Sequence, residues 1–249
     1  MDQFIPILHL TTPAEIQQLR YMDVQINVSN EEAATLINAK FANLNLLEWV
    51  KKIKELLEPI SMPPLAIEID LKSAPVPAIL LHCYDKNADH PDYGLSISRI
   101  LSNTNGQITV KHDYFTLPEP FRAKGIARAV TIAGLQQYSH MGADKITIYA
   151  ALANGGYTWA RNGFVAVDKT EMQDILERAC EMLDGTKFAA VKRIFDRYYD
   201  TNPAADSFPI IKWAELPFMK QVLCGTMWHG EIDLKKQNQL LNFIKYVHQ

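Results

Sequence analysis

Three residues, Arg122, Gly125 and Ala127, have the types and spacing of a phosphate-binding turn. They match a pattern of Arg or Gln, two residues, Gly, one residue, and Gly or Ala, at the junction of a predicted strand and a predicted helix. A helix start carries unpaired backbone N–H groups and the positive end of the helix dipole, which together favour an anion. Small residues at Gly125 and Ala127 let a diphosphate approach the backbone, and Lys124 and Arg128 add positive charge. A glycine placed only for a tight strand-to-helix turn is the alternative interpretation.

Side chains that could accept a proton lie near this turn or on the first predicted strand. The candidates are His112, Asp113, Glu119, Glu68 and Asp70. Imidazole and carboxylate groups of this kind act as general bases, directly or through water. For each candidate taken singly, a solvated charge on a strand face is the more common role.

The two faces of the strand before the turn divide these candidates. Strict alternation places His112 and Tyr114 on one face. It places Asp113 and Phe115 on the opposite face. Because only one face can look into a cleft, we expect only one of these pairs to supply a base.

The turn and the candidate bases lie in a central region of alternating strands. The predicted strands are LAIEIDL from Leu65, PAILLHCYD from Pro77, YGLSISRIL from Tyr93 and QITVKHDYF from Gln107, the last two joined by a polar hairpin turn. They are followed by a helix from about Lys124 to Met141, the strand KITIYAAL, a short helix near Tyr157 to Arg161 and the strand GFVAV. Capping patterns at Thr12 and Ser29, and helical spacing from Leu46 to Leu57, predict helices before this region.

The order of strand, turn, helix, strand, short helix and strand is similar to that of the GNAT acetyltransferases, over the region from Leu65 to Asp168. The resemblance implies an α/β (α+β) fold with a mixed, mostly antiparallel sheet, splayed central strands and extra helices at both ends. It also implies a bulge in the strand before the turn, which offers backbone groups to an acyl-pantetheine arm, while the turn binds the pyrophosphate of acetyl-CoA. The residues so implied for acetyl-CoA binding are Leu117, Arg122, Ala123, Lys124, Gly125, Ile126, Ala127 and Arg128.

The resemblance further implies a general acid on the short helix. Many family members have a tyrosine four residues before the glycine of a Gly-Phe pair, and this tyrosine protonates the leaving thiolate. Trp159 stands at that distance from Gly163, and an indole cannot act as a general acid. Tyr157 is therefore the candidate for this role. A half-buried aromatic side chain with a satisfied hydroxyl is an equally good interpretation of Tyr157.

Three regions are predicted along the chain: a helical region over residues 1–62, an acyl-CoA-binding domain over residues 63–168 and a helical extension over residues 169–249. Thr170 and Gln173 predict the start of a helix in the extension, and Gly185 predicts its end. A turn with an anchoring tryptophan is predicted at residues 228–230, and Asp233 predicts the start of the last helix. These flanks are expected to cover the sheet or to wall the acceptor site.

Composition and charge argue against several classes of protein. The 25 Lys and Arg residues nearly balance the 28 Asp and Glu residues, with a net charge of -3, so nucleic acid is not an expected partner. Three distant cysteines and scattered histidines predict no metal site and fit a reducing compartment. The N-terminal apolar run is short and broken by Pro6, which predicts neither a signal sequence nor a membrane span. We expect a cytoplasmic protein without membrane partners, and a homo-oligomer is compatible with the sequence.

The function that the resemblance implies is acetyl-CoA-dependent N-acetyl transfer to a primary amine, in a small molecule or a peptide. The amine would attack directly within a ternary complex, helped by positioning and by backbone N–H groups that stabilise the oxyanion. A catalytically inactive GNAT-like binding or assembly module is the alternative, because Trp159 replaces the usual tyrosine. A third hypothesis is an α/β nucleotide-binding protein that uses Gly125 for another phosphate, although the sequence has neither a P-loop nor a strand-linked GxGxxG.

Overall fold

The structure, a computed structural model, describes residues 8–61, 64–86 and 94–248. Contacts between Cα atoms divide the chain into two units, Met1–Asp144 and Lys145–Gln249. Three predicted features lie outside the described residues: the apolar run broken by Pro6, the boundary between residues 62 and 63, and Tyr93 at the start of a strand. The division into three regions stays a prediction.

Unit 1 contains helices and strands in the order that the sequence patterns predict, with one additional short strand. Its described elements are α1 (Pro13–Tyr21), β1 (Val24–Ile26), α2 (Asn30–Lys40), α3 (Leu46–Leu57), β2 (Leu65–Lys72), β3 (Ala78–Asp85), β4 (Ser96–Thr104), β5 (Gln107–Thr116) and α4 (Ile126–His140). Short 3-10 turns follow α3 at Glu58–Ile60 and β5 at Glu119–Phe121. The additional strand is β1, which the sequence did not predict.

Polar side chains begin the first three helices of unit 1. Thr12 accepts a hydrogen bond from the N–H of Glu15, whose carboxylate accepts one from the N–H of Thr12, and this confirms the predicted capping box of α1. Ser29 and Glu32 form the same arrangement before α2, also as predicted. The side chain of Asn45 caps α3 by accepting a hydrogen bond from the N–H of Glu48, the third residue of the helix. Each cap of this kind contributes about 1 kcal/mol.

The five strands of unit 1 pair in sequence order. β1 is parallel to β2, and the pairs β2–β3, β3–β4 and β4–β5 are antiparallel. The hairpin between β4 and β5 turns on Asn105 and Gly106, with φ values of 54° and 88°. Two adjacent residues at positive φ match the twist of the flanking strands, which is why Asn-Gly is favoured there. The predicted hairpin is therefore confirmed.

One face of this sheet, which we call the core face, is buried, and α4 contacts it through Tyr138. The core-face side chains include Ile67, Ile69, Ile79, Leu81, Cys83, Ile97, Leu101 and Val110, all at most 3% exposed. Trp49 of α3 meets Tyr138 of α4 edge to face, with ring centroids 5.8 Å apart. Burial of a large apolar side chain stabilises the fold by about 1.5–3 kcal/mol, so this layer fixes α4 against the sheet.

Unit 2 combines three strands with helices of several lengths. Its described elements are β6 (Lys145–Ala150), α5 (Gly155–Arg161), β7 (Val165–Ala166), α6 (Lys169–Met182), α7 (Gly185–Thr201), α8 (Ile211–Ala214), α9 (Met219–Leu223), β8 (Trp228–Asp233) and α10 (Gln237–His248). β8 lies between β6 and β7 and is antiparallel to both. The strand β8 and the helices α8 and α9 were not predicted.

Two helix boundaries in unit 2 differ from the prediction. The cap of α6 is Asp168, whose carboxylate accepts from the N–H of Thr170, so Thr170 is not itself the cap. Gly185 does not end α6, which stops at Met182; it is the first residue of α7, capped by Asp184. In both places an aspartate just before the helix binds its free N–H groups, a role that the sequence pattern had not assigned to it.

The predicted turn at residues 228–230 is wrong, because these residues begin β8. Trp228, Gly230 and Ile232 are buried in alternation with more exposed residues, the period of a strand. A Cβ at Gly230 would lie 2.5 Å from the Trp228 ring, so the glycine makes room for that ring. Asp233 accordingly ends β8 and does not start the last helix.

The described strands and helices form a mixed α/β fold with mostly antiparallel pairing and helices at both ends of the chain, as predicted. Among the described strands, β1 and β2 form a parallel pair, and the other pairs within the two units are antiparallel. The splay of central strands, which concerns β5 and β6, stays a prediction. No helix in the described part of the chain is long and apolar enough to cross a membrane.

Candidate functional site

The motif loop, residues 117–128, joins β5 to α4 in unit 1. The N–H of Phe121 donates to the carbonyl of Pro118 at 2.9 Å, and the N–H of Arg122 donates to that of Glu119 at 3.1 Å. The Arg122 side chain turns back, and its Nε donates to the carbonyl of Leu117 at 2.9 Å. Arg122 therefore fixes the first half of the loop through its backbone and its side chain.

Two residues of the motif loop have left-handed backbone conformations. Gly125, the N-cap of α4, has a φ of 81°, which glycine adopts without steric cost. A Cβ built at Gly125 would meet no other part of the described structure within 4 Å, so the space in front of it is open. Ala123 has a φ of 60°, a conformation that strains an L-residue by about 1–2 kcal/mol. Strain of this kind concentrates in loops that are held for a ligand.

The N-terminus of α4 has no side-chain cap among the described residues, unlike those of α1, α2 and α3. Its first turn contains no acidic residue. Lys124 and Arg128 are exposed on either side of this turn, and the Lys124 ammonium lies 5.3 Å from the centre of the Phe121 ring. Backbone N–H groups, the helix dipole and two basic side chains are thus arranged to suit a diphosphate.

A β-bulge interrupts β5 shortly before the motif loop. Ser98 of β4 lies opposite Tyr114, whereas the next residue, Arg99, lies opposite His112. Asp113 is therefore an extra residue in β5, and such a residue bends the strand and increases its twist. The bulge that the family resemblance implied in this strand is present.

The bulge makes the predicted alternation of β5 wrong. His112 is buried on the core face, where the Arg99 guanidinium lies 5.4 Å from the centre of the Phe115 ring. Tyr114 lies on the opposite face and Asp113 is exposed. Because the extra residue shifts every later side chain by one position, His112 and Tyr114 do not share a face.

Arg99 is a buried cation at the register shift, only 3% exposed. Its Nη1 donates to the carbonyl of Ser98 at 2.8 Å and to that of Tyr114 at 3.0 Å. Burial lowers the pKa of Arg99, and the neighbouring Tyr138 opposes that effect. Since the two carbonyls belong to the two strands that meet at the bulge, the guanidinium fixes its shape. A signal for this role is present in the sequence: one arginine occupies a core-face position of an otherwise apolar alternation.

His112, a candidate base, is a core side chain in the structure. It is 2% exposed, and its Nε2 lies 3.2 Å from the hydroxyl of Tyr138. Burial, reinforced by the charge of Arg99, holds the pKa of His112 well below its usual value. Burial likewise raises the pKa of Tyr138 to about 12. Both side chains are therefore uncharged at neutral pH and join β5 to α4.

The other candidate bases of unit 1 are more accessible. Asp113 and Glu119 are exposed on either side of the junction between β5 and the motif loop. Asp113 forms an ion pair with Lys111. Glu68 and Asp70 are half-buried on β2, on the face opposite to the core face. Asp113 thus lies near the end of β5 and Glu119 within the motif loop, whereas the β2 carboxylates lie on the sheet.

The candidate general acid, Tyr157, belongs to unit 2. It is half-buried on α5, where the Lys220 ammonium lies 5.8 Å from the centre of its ring. Trp159, at the place of the usual family tyrosine, packs edge to face on Phe164, with ring centroids 5.2 Å apart. Trp159 therefore has a packing role in unit 2.

A histidine–carboxylate pair in unit 2 was not foreseen from the sequence. The Nδ1 of His229 lies 2.7 Å from one oxygen of Glu171, and the backbone N–H of His229 donates to the other oxygen at 2.7 Å. The Tyr149 ring lies 4.5 Å from the imidazole, centre to centre. These contacts join α6 to β8, and they arise because residues 228–230 form a strand.

Among the described residues, no group of three or more potential metal-ligating side chains occurs.

Comparison with known proteins gives little beyond this geometry. The chain matches no family model and no curated protein. It is similar to a chain in the crystal structure of the NatC complex bound to Gag peptide and CoA, at 13% sequence identity over 64% of this chain and 79% of that chain, with a TM-score of 0.26. A likeness this distant carries no argument about function, which must rest on the fold and the motif loop.

Proposed function

We propose that this chain is an acetyl-CoA-dependent N-acetyltransferase of the GNAT type, acting on a primary amine. The observation that supports this most directly is the start of α4: an open, left-handed Gly125, no side-chain cap among the described residues, and a bulged strand just before it. A helix N-terminus of this kind binds phosphate groups through backbone N–H groups. CoA carries a diphosphate next to its pantetheine arm, so it suits the turn better than a single phosphate.

The motif loop has two parts in this proposal. Backbone N–H groups of residues 125–127 bind the diphosphate, while Lys124 and Arg128 supply positive charge. Arg122 keeps the preceding half of the loop in place through its hydrogen bond to the carbonyl of Leu117. The amine acceptor is a small molecule or a peptide.

Transfer joins the amine nitrogen to the thioester carbonyl carbon and breaks the carbon–sulfur bond. The amine proton then needs a base, and the thiolate needs an acid. We assign the base to Asp113, exposed near the end of β5, or to Glu119, exposed within the motif loop, in preference to the buried His112. Tyr157 is the proposed acid.

Calorimetric titration with CoA and acetyl-CoA tests the proposal, together with release of free CoA thiol in the presence of a panel of primary amines. The Ala127→Glu substitution places a carboxylate in the first turn of α4, where it stabilises the helix and repels a diphosphate. We expect it to weaken CoA binding about tenfold or more without lowering the melting temperature. Gln136→Glu, on an exposed position of the same helix, is the matched control and should bind CoA like the natural chain.

A chain that binds neither CoA nor acetyl-CoA would refute the proposal. Equal CoA affinity in Ala127→Glu and Gln136→Glu would show that the diphosphate lies elsewhere.

A GNAT-like module without transferase activity is the second candidate, because Trp159 packs on Phe164 where the family has its acid. It predicts weak or absent CoA binding, and no loss of function in an Arg122→Ala variant. Thiol release above background with any amine, abolished by Tyr157→Phe, would exclude this candidate.

A further inference from the structure

Polar side chains form a row across the face of the unit 1 sheet opposite to the core face. The register places Glu68 opposite His82, and His82 opposite Ser98. It also places Ser98 opposite Tyr114. We call these four residues the polar row. Ser98 is buried and the other three are half-buried, so the row is neither a core layer nor a fully solvated surface.

Hydrogen bonds and ring stacking fix the orientation of the polar row. The hydroxyl of Tyr84 donates to Oε1 of Glu68 at 2.6 Å. The Nε2 of His82 lies 3.2 Å from the hydroxyl of Ser96, and its ring stacks on Tyr84 with centroids 4.6 Å apart. A carboxylate has room for several donors, so the bond from Tyr84 orients Glu68 without exhausting it.

Negative charge reaches His82 from two directions. Glu68 on β2 and Asp113 on β5 both raise the pKa of His82, but burial, the larger effect, lowers it below its usual value. Asp113 is the extra residue of the β5 bulge, and its carboxylate forms an ion pair with Lys111. His82 is therefore a neutral imidazole opposite Glu68 and within the electrostatic influence of Asp113, and Asp70 lies further along β2.

This combination of groups favours one class of ligand. The carboxylates repel anions and attract an ammonium group. A neutral His82 accepts or donates a hydrogen bond without repelling a positive ligand. An apolar ligand would cover the half-buried carboxylate of Glu68 without adding a donor to the one from Tyr84.

We infer that the polar row binds the ammonium group of the acyl acceptor, which is therefore a cationic amine. Glu68 is the principal anionic partner, Asp113 adds a second negative charge, and His82 completes the hydrogen bonding. The inference rests on the proposed transferase function for the later fate of the amine, whereas the binding step itself requires no CoA.

Nuclear magnetic resonance titration of the full chain without CoA tests the inference, with n-pentylamine, pentanol and pentanoate as probes. These probes share one alkyl chain and differ in the charge of the head group. We expect n-pentylamine alone to shift the His82 ring signals, assigned with His82→Gln, in a saturable manner. Glu68→Gln, which keeps an acceptor for Tyr84, should weaken amine binding about 2- to 5-fold, as expected for the loss of one partly exposed charge pair.

Glu55→Gln removes the same charge from an exposed position on α3 and should leave amine binding unchanged. The inference fails if n-pentylamine shifts no His82 signal, if pentanoate binds as well, or if Glu68→Gln binds like the natural chain. Because CoA is absent, these results are separate from the thiol-release assay. Amine binding without any CoA binding would overturn the proposed function and leave this site in place.

Discussion

Substitution of Arg99 tests whether a buried guanidinium holds the bulge of β5. The side chain is 3% exposed and donates to the carbonyls of Ser98 and Tyr114 at 2.8 and 3.0 Å. Arg99→Met keeps most of the volume and removes the charge and both hydrogen bonds. Arg99→Lys keeps the charge on a flexible four-carbon stem without the planar fork.

The magnitudes follow from two opposing effects at this position. Each hydrogen bond from a charged donor contributes about 1.5–3 kcal/mol, while removal of a buried cation relieves a desolvation cost of several kcal/mol. In Arg99→Met these effects largely offset, and the two carbonyls that lose this donor leave a net loss of about 2 kcal/mol, about 1 kcal/mol for each. In Arg99→Lys the desolvation cost remains and one bond is lost, so we expect a loss of about 3 kcal/mol. The expected order of stability is Arg, then Met, then Lys.

Native-state hydrogen exchange of the β4 and β5 amides is the suitable assay, because it reports the opening of this hairpin separately from unit 2. The CoA affinity of both variants should fall as well, since the bulge lies next to the motif loop. A lysine variant as stable as the natural chain, or a methionine variant with unchanged β5 protection, would refute the reasoning.

Single contacts elsewhere give three further expected outcomes. The lowered pKa of His112 means that the unfolded chain binds a proton that the folded chain does not, so stability should fall by about 1.4 kcal/mol per pH unit below about pH 6.5. Exchange measurements across pH 5–7 would show a shallower slope in His112→Gln, and equal slopes would contradict this. Gly156→Ala places a Cβ 2.3 Å from the carbonyl oxygen of Leu223 and should lower the melting temperature of unit 2, whereas Gly185→Ala meets nothing within 4 Å and should not. Ala123→Gly relieves a φ of 60° and should stabilise unit 1 by about 1 kcal/mol; a lower melting temperature would count against strain.

Local signals in the sequence predicted those elements whose determinants lie within a few residues. The capping boxes at Thr12 and Ser29 satisfy N–H groups three residues away, so the pattern contains the whole interaction. The Asn105-Gly106 turn works in the same way, because both residues adopt the positive φ that the hairpin needs. The motif loop was predicted for the same reason: its left-handed glycine and its helix start are adjacent.

Features that depend on pairing between distant segments were not predicted. The strand β8 alternates correctly, but its partner β6 lies far earlier in the chain, with Ile148 opposite Gly230. A tryptophan, a histidine and a glycine in succession resemble a turn until that partner is known. The bulge at Asp113 likewise depends on Arg99 of a neighbouring strand, and without it simple alternation placed His112 on the wrong face relative to Tyr114. The residues of the polar row come from four different strands, so no local pattern in the sequence links them.

The motif loop differs from the other helix starts of unit 1 in a way that bears on its role. The helices α1, α2 and α3 each gain about 1 kcal/mol from a capping side chain, whereas α4 starts at a bare glycine. Ala123 adds a strain of about 1–2 kcal/mol two residues earlier. A loop selected only for stability would gain about 1 kcal/mol from glycine at position 123, whereas a capping side chain at Gly125 would be strained by the left-handed φ of 81°. A bound diphosphate satisfies the same N–H groups that a capping side chain would cover. A chance match to the sequence pattern requires neither an uncapped helix start nor a strained Ala123. These two features together therefore support phosphate binding more strongly than the spacing of Arg122, Gly125 and Ala127 does.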